Sequence, residues 1–191
     1  LEAIELLGTH GNIGHKNLVL STVGDLRVFE RLMDQLPLPK PSPQPSPACG
    51  RGSEREKQSI IPAVKPALAL SLHTTDAALR ARLLPHAPQI AIEELVERAE
   101  AYARATGYPV QYQWTLLEGV NDTPGEIDAL IAYCRGMLVH VNLIPVNPVR
   151  GTGYSRSSAD SVALVERRLT TAHIEVCVRT ERGTDIDAAC G

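Results

Sequence analysis

Apolar residues along this chain change their period repeatedly, and each change marks an element. Leu1, Ile4 and Leu7 fall at helical spacing, and Gly8-Thr-His-Gly11-Asn-Ile-Gly14 ends that helix. Asn17-Leu-Val-Leu-Ser-Thr-Val23 is a short apolar run, β-branched near its end, and predicts a buried strand. Leu26 to Leu36 returns to helical spacing, with Phe29, Leu32, Met33 and Leu36 on one side. Further on, Pro66-Ala-Leu-Ala-Leu-Ser-Leu-His73 predicts a second buried strand, and Asp76 to Leu84 a short helix stopped by Pro85. Ile92 to Thr106 is the clearest helix; Ile92, Leu95, Val96, Ala99 and Ala103 form its stripe, and Gly107 ends it. Val110 to Leu117 predicts a third strand. Thr123-Pro-Gly-Glu126 is a capping box with proline at the first helical position, and its helix runs through Ile127, Leu130, Ile131 and Cys134 to Gly136. His140 to Val146 predicts a fourth strand, Ser157 or Ser158 caps a helix reaching about Ala172, and Ile174 to Val178 predicts a last strand. Cys134 on its apolar helix face and Cys177 in mid-strand both read as structural.

Alternating strands and helices predict an α/β fold with a parallel sheet. A dinucleotide fingerprint follows a strand and opens a helix, whereas the glycines at 8, 11 and 14 end a helix and lead into a strand. A curved sheet or barrel therefore fits better than a doubly wound sheet. One stretch breaks the alternation. Between Pro37 and Pro47 every second residue is proline, and Ala48 to Gln58 is polar and charged. Such composition cannot build a packed core. It marks 37–58 as an insertion between 1–36 and 59–191, the two segments that carry the fold, and Cys49 within it as incidental.

A 43% apolar and 21% charged composition is that of an ordinary globular protein. The net charge of −3 offers no basic footprint for nucleic acid, so any main phosphate-binding surface lies outside this composition. No apolar run reaches the length of a membrane span. Cys49, Cys134, Cys177 and Cys190 lack C-x-x-C spacing, which argues against a zinc knuckle. The expectation is a soluble, cytoplasmic protein. The chain opens on Leu1 inside a helical pattern, as a fragment would.

In parallel α/β architectures ligands bind at the C-terminal ends of strands. Ser21 and Thr22 close the first strand, Ser71 and His73 the second, Glu118 and Asn121 the third, and Asn147 the fourth. The same residues would serve as loop entries, and Asn121 or Asp122 equally as a helix cap. At the far end Cys190 follows the small Ala188 and Ala189. Arg179 and Arg182 upstream would favour its thiolate. A frayed tail with a stray thiol is the plain alternative.

Five segments, in order, carry a more specific likeness: Leu20-Ser-Thr-Val-Gly24, Leu70-Ser-Leu-His73, Leu116-Leu-Glu-Gly-Val-Asn-Asp122, Asn142-Leu-Ile-Pro-Val-Asn-Pro148 and Arg182-Gly-Thr-Asp-Ile-Asp-Ala-Ala-Cys-Gly191. Together they resemble the RlmN/Cfr family, radical S-adenosylmethionine (SAM) enzymes that methylate an adenosine of 23S ribosomal RNA. The likeness spans almost the whole chain except 37–58 and is nearer the RlmN type, with methylation at adenine C2; methylation at C8 is the near variant. It implies a partial (β/α)6 radical-SAM barrel, of which this chain would hold about four of six parallel strands. A C-terminal strand and a cysteine-bearing loop would complete it.

The resemblance further implies SAM contacts at Ser21, Ser71, Leu72, His73 and Asn147. It makes Cys190 the catalytic, methyl-carrying cysteine. A [4Fe-4S] cluster, an electron donor such as flavodoxin, 23S rRNA and also tRNA as substrates, and a monomeric state follow from the same source. The family's cluster-binding C-x-x-x-C-x-x-C, its Gly-Glu-Pro segment, its second cysteine and its basic N-terminal domain are not in this sequence. No metal ligand is therefore assigned here. The chain reads as the C-terminal part of such an enzyme, inactive alone. The competing reading is a remnant or interaction fragment without enzymatic activity.

Overall fold

Five strands, Val19–Thr22 (β1), Ala67–Ser71 (β2), Val110–Leu116 (β3), Val139–Pro145 (β4) and Glu175–Val178 (β5), form one sheet in the order β1-β2-β3-β4-β5, every neighbouring pair parallel. The computed structural model describes residues 2–11, 13–36, 64–147 and 153–179. Its helices are Glu2–Thr9 (α1), Leu26–Asp34 (α2), Ala77–Leu83 (α3), Ile92–Thr106 (α4), Pro124–Cys134 (α5) and Ala159–Thr171 (α6). One short 3-10 turn, His15–Asn17, was not foreseen from the pattern. The insertion expected at 37–58 lies outside the described residues.

Helix ends follow local chemistry. Asp25 accepts from Arg27 N at 3.0 Å to cap α2, and Asp76 accepts from Leu79 N at 2.6 Å to cap α3. Gly107, at φ 77°, closes α4 in the left-handed conformation that a side chain would resist. Of the two serines before α6, Ser158 is the cap, accepting from Ser161 N at 3.1 Å, while the Ser157 hydroxyl donates to Asp122 at 2.7 Å. Thr123 caps α5 by accepting from Glu126 N at 3.4 Å. The reciprocal half of that box is spent elsewhere. Glu126 Oε2 instead accepts from Thr74 Oγ1 at 2.8 Å and Thr75 N at 3.0 Å, tying the start of α5 to the loop after β2.

Sequential strand order has a geometric consequence. Parallel crossovers are right-handed, so stepping always in one direction puts every helix on the same side of the sheet. The core bears this out. Leu68, Leu70 and Leu72, Tyr112, Trp114 and Leu116, and Val141 and Leu143 pack with Phe29 and Leu32 of α2, Leu95 and Ala99 of α4, Ile127 and Leu130 of α5, and Val165 and Leu169 of α6. One face of the sheet is thus covered by helices. The other is the concave face of a barrel wall. The architecture is that of a partial parallel α/β barrel.

The edge strand β1 departs from the buried strand that its apolar run predicts. Val19 is 49% exposed, and Ser21 is exposed as well, because both lie on the uncovered face at the sheet's edge. Cys177, expected to be structural, is likewise exposed on β5.

Candidate functional site

Strand register lines the concave face with polar side chains. One row across it reads Ser21, Ala69, Gln111, His140 and Glu175, and the next Ser71, Gln113, Asn142 and Cys177. Within this floor His140 Nε2 lies 3.0 Å from Asn142 Oδ1, and Asn142 Nδ2 donates to Gln111 Oε1 at 3.4 Å. Glu175 Oε2 stands 3.7 Å from His140 Nδ1. Gln113 is only 8% exposed, yet its Nε2 has no partner among the described residues. A buried amide left unpaired costs about 1–3 kcal/mol, which a ligand acceptor inside the barrel would relieve.

This floor lies below the strand ends at which the sequence places candidate ligand groups. Its signal was present in the strict alternation of Val110-Gln-Tyr-Gln-Trp114 and Val139-His-Val-Asn-Leu143.

At the C-terminal rim the geometry tightens around His73. Its backbone adopts φ 62°, an uncommon left-handed conformation for a residue with a side chain. Its ring Nδ1 accepts from Thr115 N at 3.1 Å. Burial, with the Arg80 charge as a second cause, pushes its pKa down to about 4, so the ring is neutral at pH 7. A neutral imidazole whose Nδ1 accepts carries its proton on Nε2. His73 therefore offers a donor and no charge.

Asn121 is fully buried and holds this corner. Its Nδ2 donates to His73 O at 2.6 Å and to Thr115 O at 2.7 Å, while Oδ1 accepts from Leu117 N at 2.8 Å. Its carbonyl accepts from Trp114 Nε1 at 3.3 Å. It does not cap α5, and neither does Asp122, whose carboxylate accepts from Gly119 N, Ser157 Oγ and Ser161 Oγ. The sequence reading of either residue as a helix cap is corrected, because Thr123 already fills that position.

Arg80, 4% exposed, reaches from α3 to the exits of β1 and β2, donating to Val23 O and, at 3.3 Å, to Ser71 O.

The remaining expected site residues distribute as follows. Ser21 and Ser71 stand on the concave face in adjacent rows. The Leu72 side chain is wholly buried on the helix-covered face, so a ligand could meet this residue only through its backbone. Asn147 is half-buried two residues beyond β4. Gly24, at φ 97°, has a packing reason to be glycine: a Cβ there would lie 2.6 Å from Leu95 Cδ2. Cys190 lies outside the described residues.

The described residues offer no ligand set for an iron–sulfur cluster. Among the described residues no group of three His, Cys, Asp or Glu could hold a metal ion. Burial pushes the Cys134 thiol up to about 12, and among the described residues the other cysteine is Cys177, exposed on β5.

Comparison with known proteins agrees with this architecture. No protein-family model matches the chain. Over all 191 residues it is 50% identical to a protein of Stutzerimonas stutzeri named a probable RNA methyltransferase, covering 48% of that protein. It is 49% identical over the same span to a probable RNA methyltransferase of Bordetella avium, covering 47% of it. The chain thus spans about half the length of these relatives. Among solved structures, a radical SAM methyltransferase from Sphaerobacter thermophilus superposes with a TM-score of 0.75 at 31% identity, over 97% of this chain and 47% of that one. A domain of a pyruvate-formate lyase-activating enzyme from Bacteroides vulgatus shares the fold alone, with a TM-score of 0.61 at 12% identity over 94% of this chain and 88% of that one.

The chain has a partial parallel α/β barrel that matches the structure of a radical SAM methyltransferase, and it is similar along its full length to proteins named as probable RNA methyltransferases.

Proposed function

We propose that this chain supplies the C-terminal part of a radical SAM RNA methyltransferase of the RlmN type, which methylates C2 of an adenosine in 23S rRNA. The observation that carries the reading is 50% identity, across every residue of the chain, to a protein named a probable RNA methyltransferase. The polar concave face and rim support it, because a barrel that only needed to fold would fill its interior with apolar side chains.

SAM is the cofactor these residues fit, and when bound it supplies both the methyl group and the source of the radical such chemistry needs. The fit rests on the uncharged polar groups that the concave face and its rim carry. The Ser21 and Ser71 hydroxyls can bond ribose oxygens or the aminoacyl group. The His73 Nε2–H meets an acceptor, Leu72 contributes backbone only, and the Asn147 amide can pair with the adenine edge. All are uncharged, so they orient the ligand without competing with its sulfonium. Cys190 carries the methyl as methylcysteine before its transfer to RNA, and Arg179 and Arg182 favour the thiolate form.

The described residues do not fit the cluster, and the [4Fe-4S] ligands are assigned to protein outside this chain. An electron donor such as flavodoxin, and tRNA as a second substrate, belong to the same proposal. The test is peptide mass spectrometry on protein from growing cells. The expected result is a Cys190 peptide that carries one added methyl. A thiol that stays unmodified in cells whose 23S rRNA carries the adenosine methylation removes Cys190 from the reaction and favours the remnant reading.

A further inference from the structure

We propose that Asn121 is a positioning residue that presents His73 to the cofactor site as a neutral, single-proton donor. The inference rests on the assignment of His73 to that site.

Two constraints meet at His73, its left-handed backbone and the hydrogen bond to its Nδ1, and Asn121 bears on both. The backbone of His73 stands at φ 62°, a strained conformation for a side-chain-bearing residue that persists only where its surroundings impose it. The Asn121 Nδ2 bond to His73 O, at 2.6 Å, holds that carbonyl. The second Nδ2 bond, to Thr115 O at 2.7 Å, fixes the β3 residue whose N–H donates to His73 Nδ1 at 3.1 Å. One buried amide thereby sets both the backbone that carries the ring and the donor that selects its tautomer. Oδ1, on Leu117 N at 2.8 Å, leaves the amide no freedom to turn over, since the reversed group would aim Nδ2 at an N–H and Oδ1 at two carbonyls.

The consequence for a ligand is specific. With Nδ1 occupied, the ring can bond only an acceptor such as a carboxylate, a ribose oxygen or a ring nitrogen. It cannot accept from an ammonium or an exocyclic amine. A sulfonium-bearing cofactor meets no positive charge from this ring.

The experiment is long-range proton–nitrogen NMR on the full chain with ¹⁵N-labelled histidine, in wild type and in Asn121→Asp, Asn121→Ala and Asp122→Asn variants. The expected wild-type signal for His73 is a protonated Nε2 beside an unprotonated Nδ1. Asn121→Asp keeps the acceptor for Leu117 N and loses both donors, so the His73 tautomer should become mixed, and SAM titrated into the sample should bind about tenfold more weakly. Asp122→Asn, which disturbs only the neighbouring contacts to Ser157 and Ser161, should leave the signal unchanged. A wild-type ring protonated on Nδ1 overturns the proposal without any variant having to fold. So does an unaltered His73 signal in folded Asn121→Asp or Asn121→Ala. A disturbed tautomer with undiminished SAM affinity instead removes His73 from the cofactor site, and with it the role proposed for Asn121.

Discussion

The two faces of the sheet are built from the same strands and do opposite work. On the helix-covered face Leu68, Leu70, Tyr112, Trp114, Val141 and Leu143 are sealed from solvent. One residue along each strand, Ser71, Gln111, Gln113, His140 and Asn142 look into the barrel. The first set is selected for volume and packs without polar demands, apart from bonds such as Trp114 Nε1 to Asn121 O. The second set is polar although Gln113 and Asn142 are as buried as many core residues. Burial alone therefore does not identify the core of this protein. The face does.

The largest expected effect that tests this contrast is on folding. Trp114→Ala, on the covered face, should destabilise the chain by about 3–5 kcal/mol in urea unfolding. Gln113→Leu, its immediate neighbour on the concave face, should cost less than about 1 kcal/mol or even stabilise, because it removes an unpaired buried amide. Equal losses at the two positions would abolish the distinction between the faces.

His73 at the rim makes the next test, through pH. Its folded pKa is depressed from 6.5 to about 4, so the unfolded chain binds the proton first as pH falls. The contribution is fully present above pH 6.5 and is lost as pH falls toward 4. Measured against His73→Asn, wild-type stability should decline by up to roughly 3 kcal/mol between pH 7 and 4. A pH-independent difference would mean that His73 is not held neutral by its surroundings.

Asn147→Ala should weaken SAM binding by about 1–3 kcal/mol in calorimetric titration if the amide makes a buried bond to the cofactor. Unchanged affinity would take Asn147 out of the site. The smallest effect separates two cysteines. Cys177→Ser, exposed on the concave face, should change stability by no more than about 0.5 kcal/mol. Cys134→Ser, which buries a hydroxyl in the core, should cost about 1–3 kcal/mol.

Much of the frame was legible before the structure. Every expected strand and helix is present with its ends shifted by a few residues, since capping residues such as Asp25, Asp76 and Thr123 act over a single turn. Two features were not legible. The exposure of β1 and Cys177 depends on what covers the sheet, which no window of sequence contains. Asn121 looked like a helix cap because caps are local, whereas its actual partners are His73, just beyond β2, and Thr115 in β3.

What the sequence determined by itself is the succession of elements, through the period of its apolar residues and the side chains that cap them. Both are interactions between near neighbours in the chain. Which polar residues share a surface was decided only by the tertiary structure. Parallel register sets Ser71 beside Gln113 and Asn142, and right-handed crossovers place all the packed helices on the other side. The left-handed backbone of His73 belongs to that second kind of information. A lone histidine at a strand end would relax to an ordinary conformation; here the amide of a residue 48 positions away holds it.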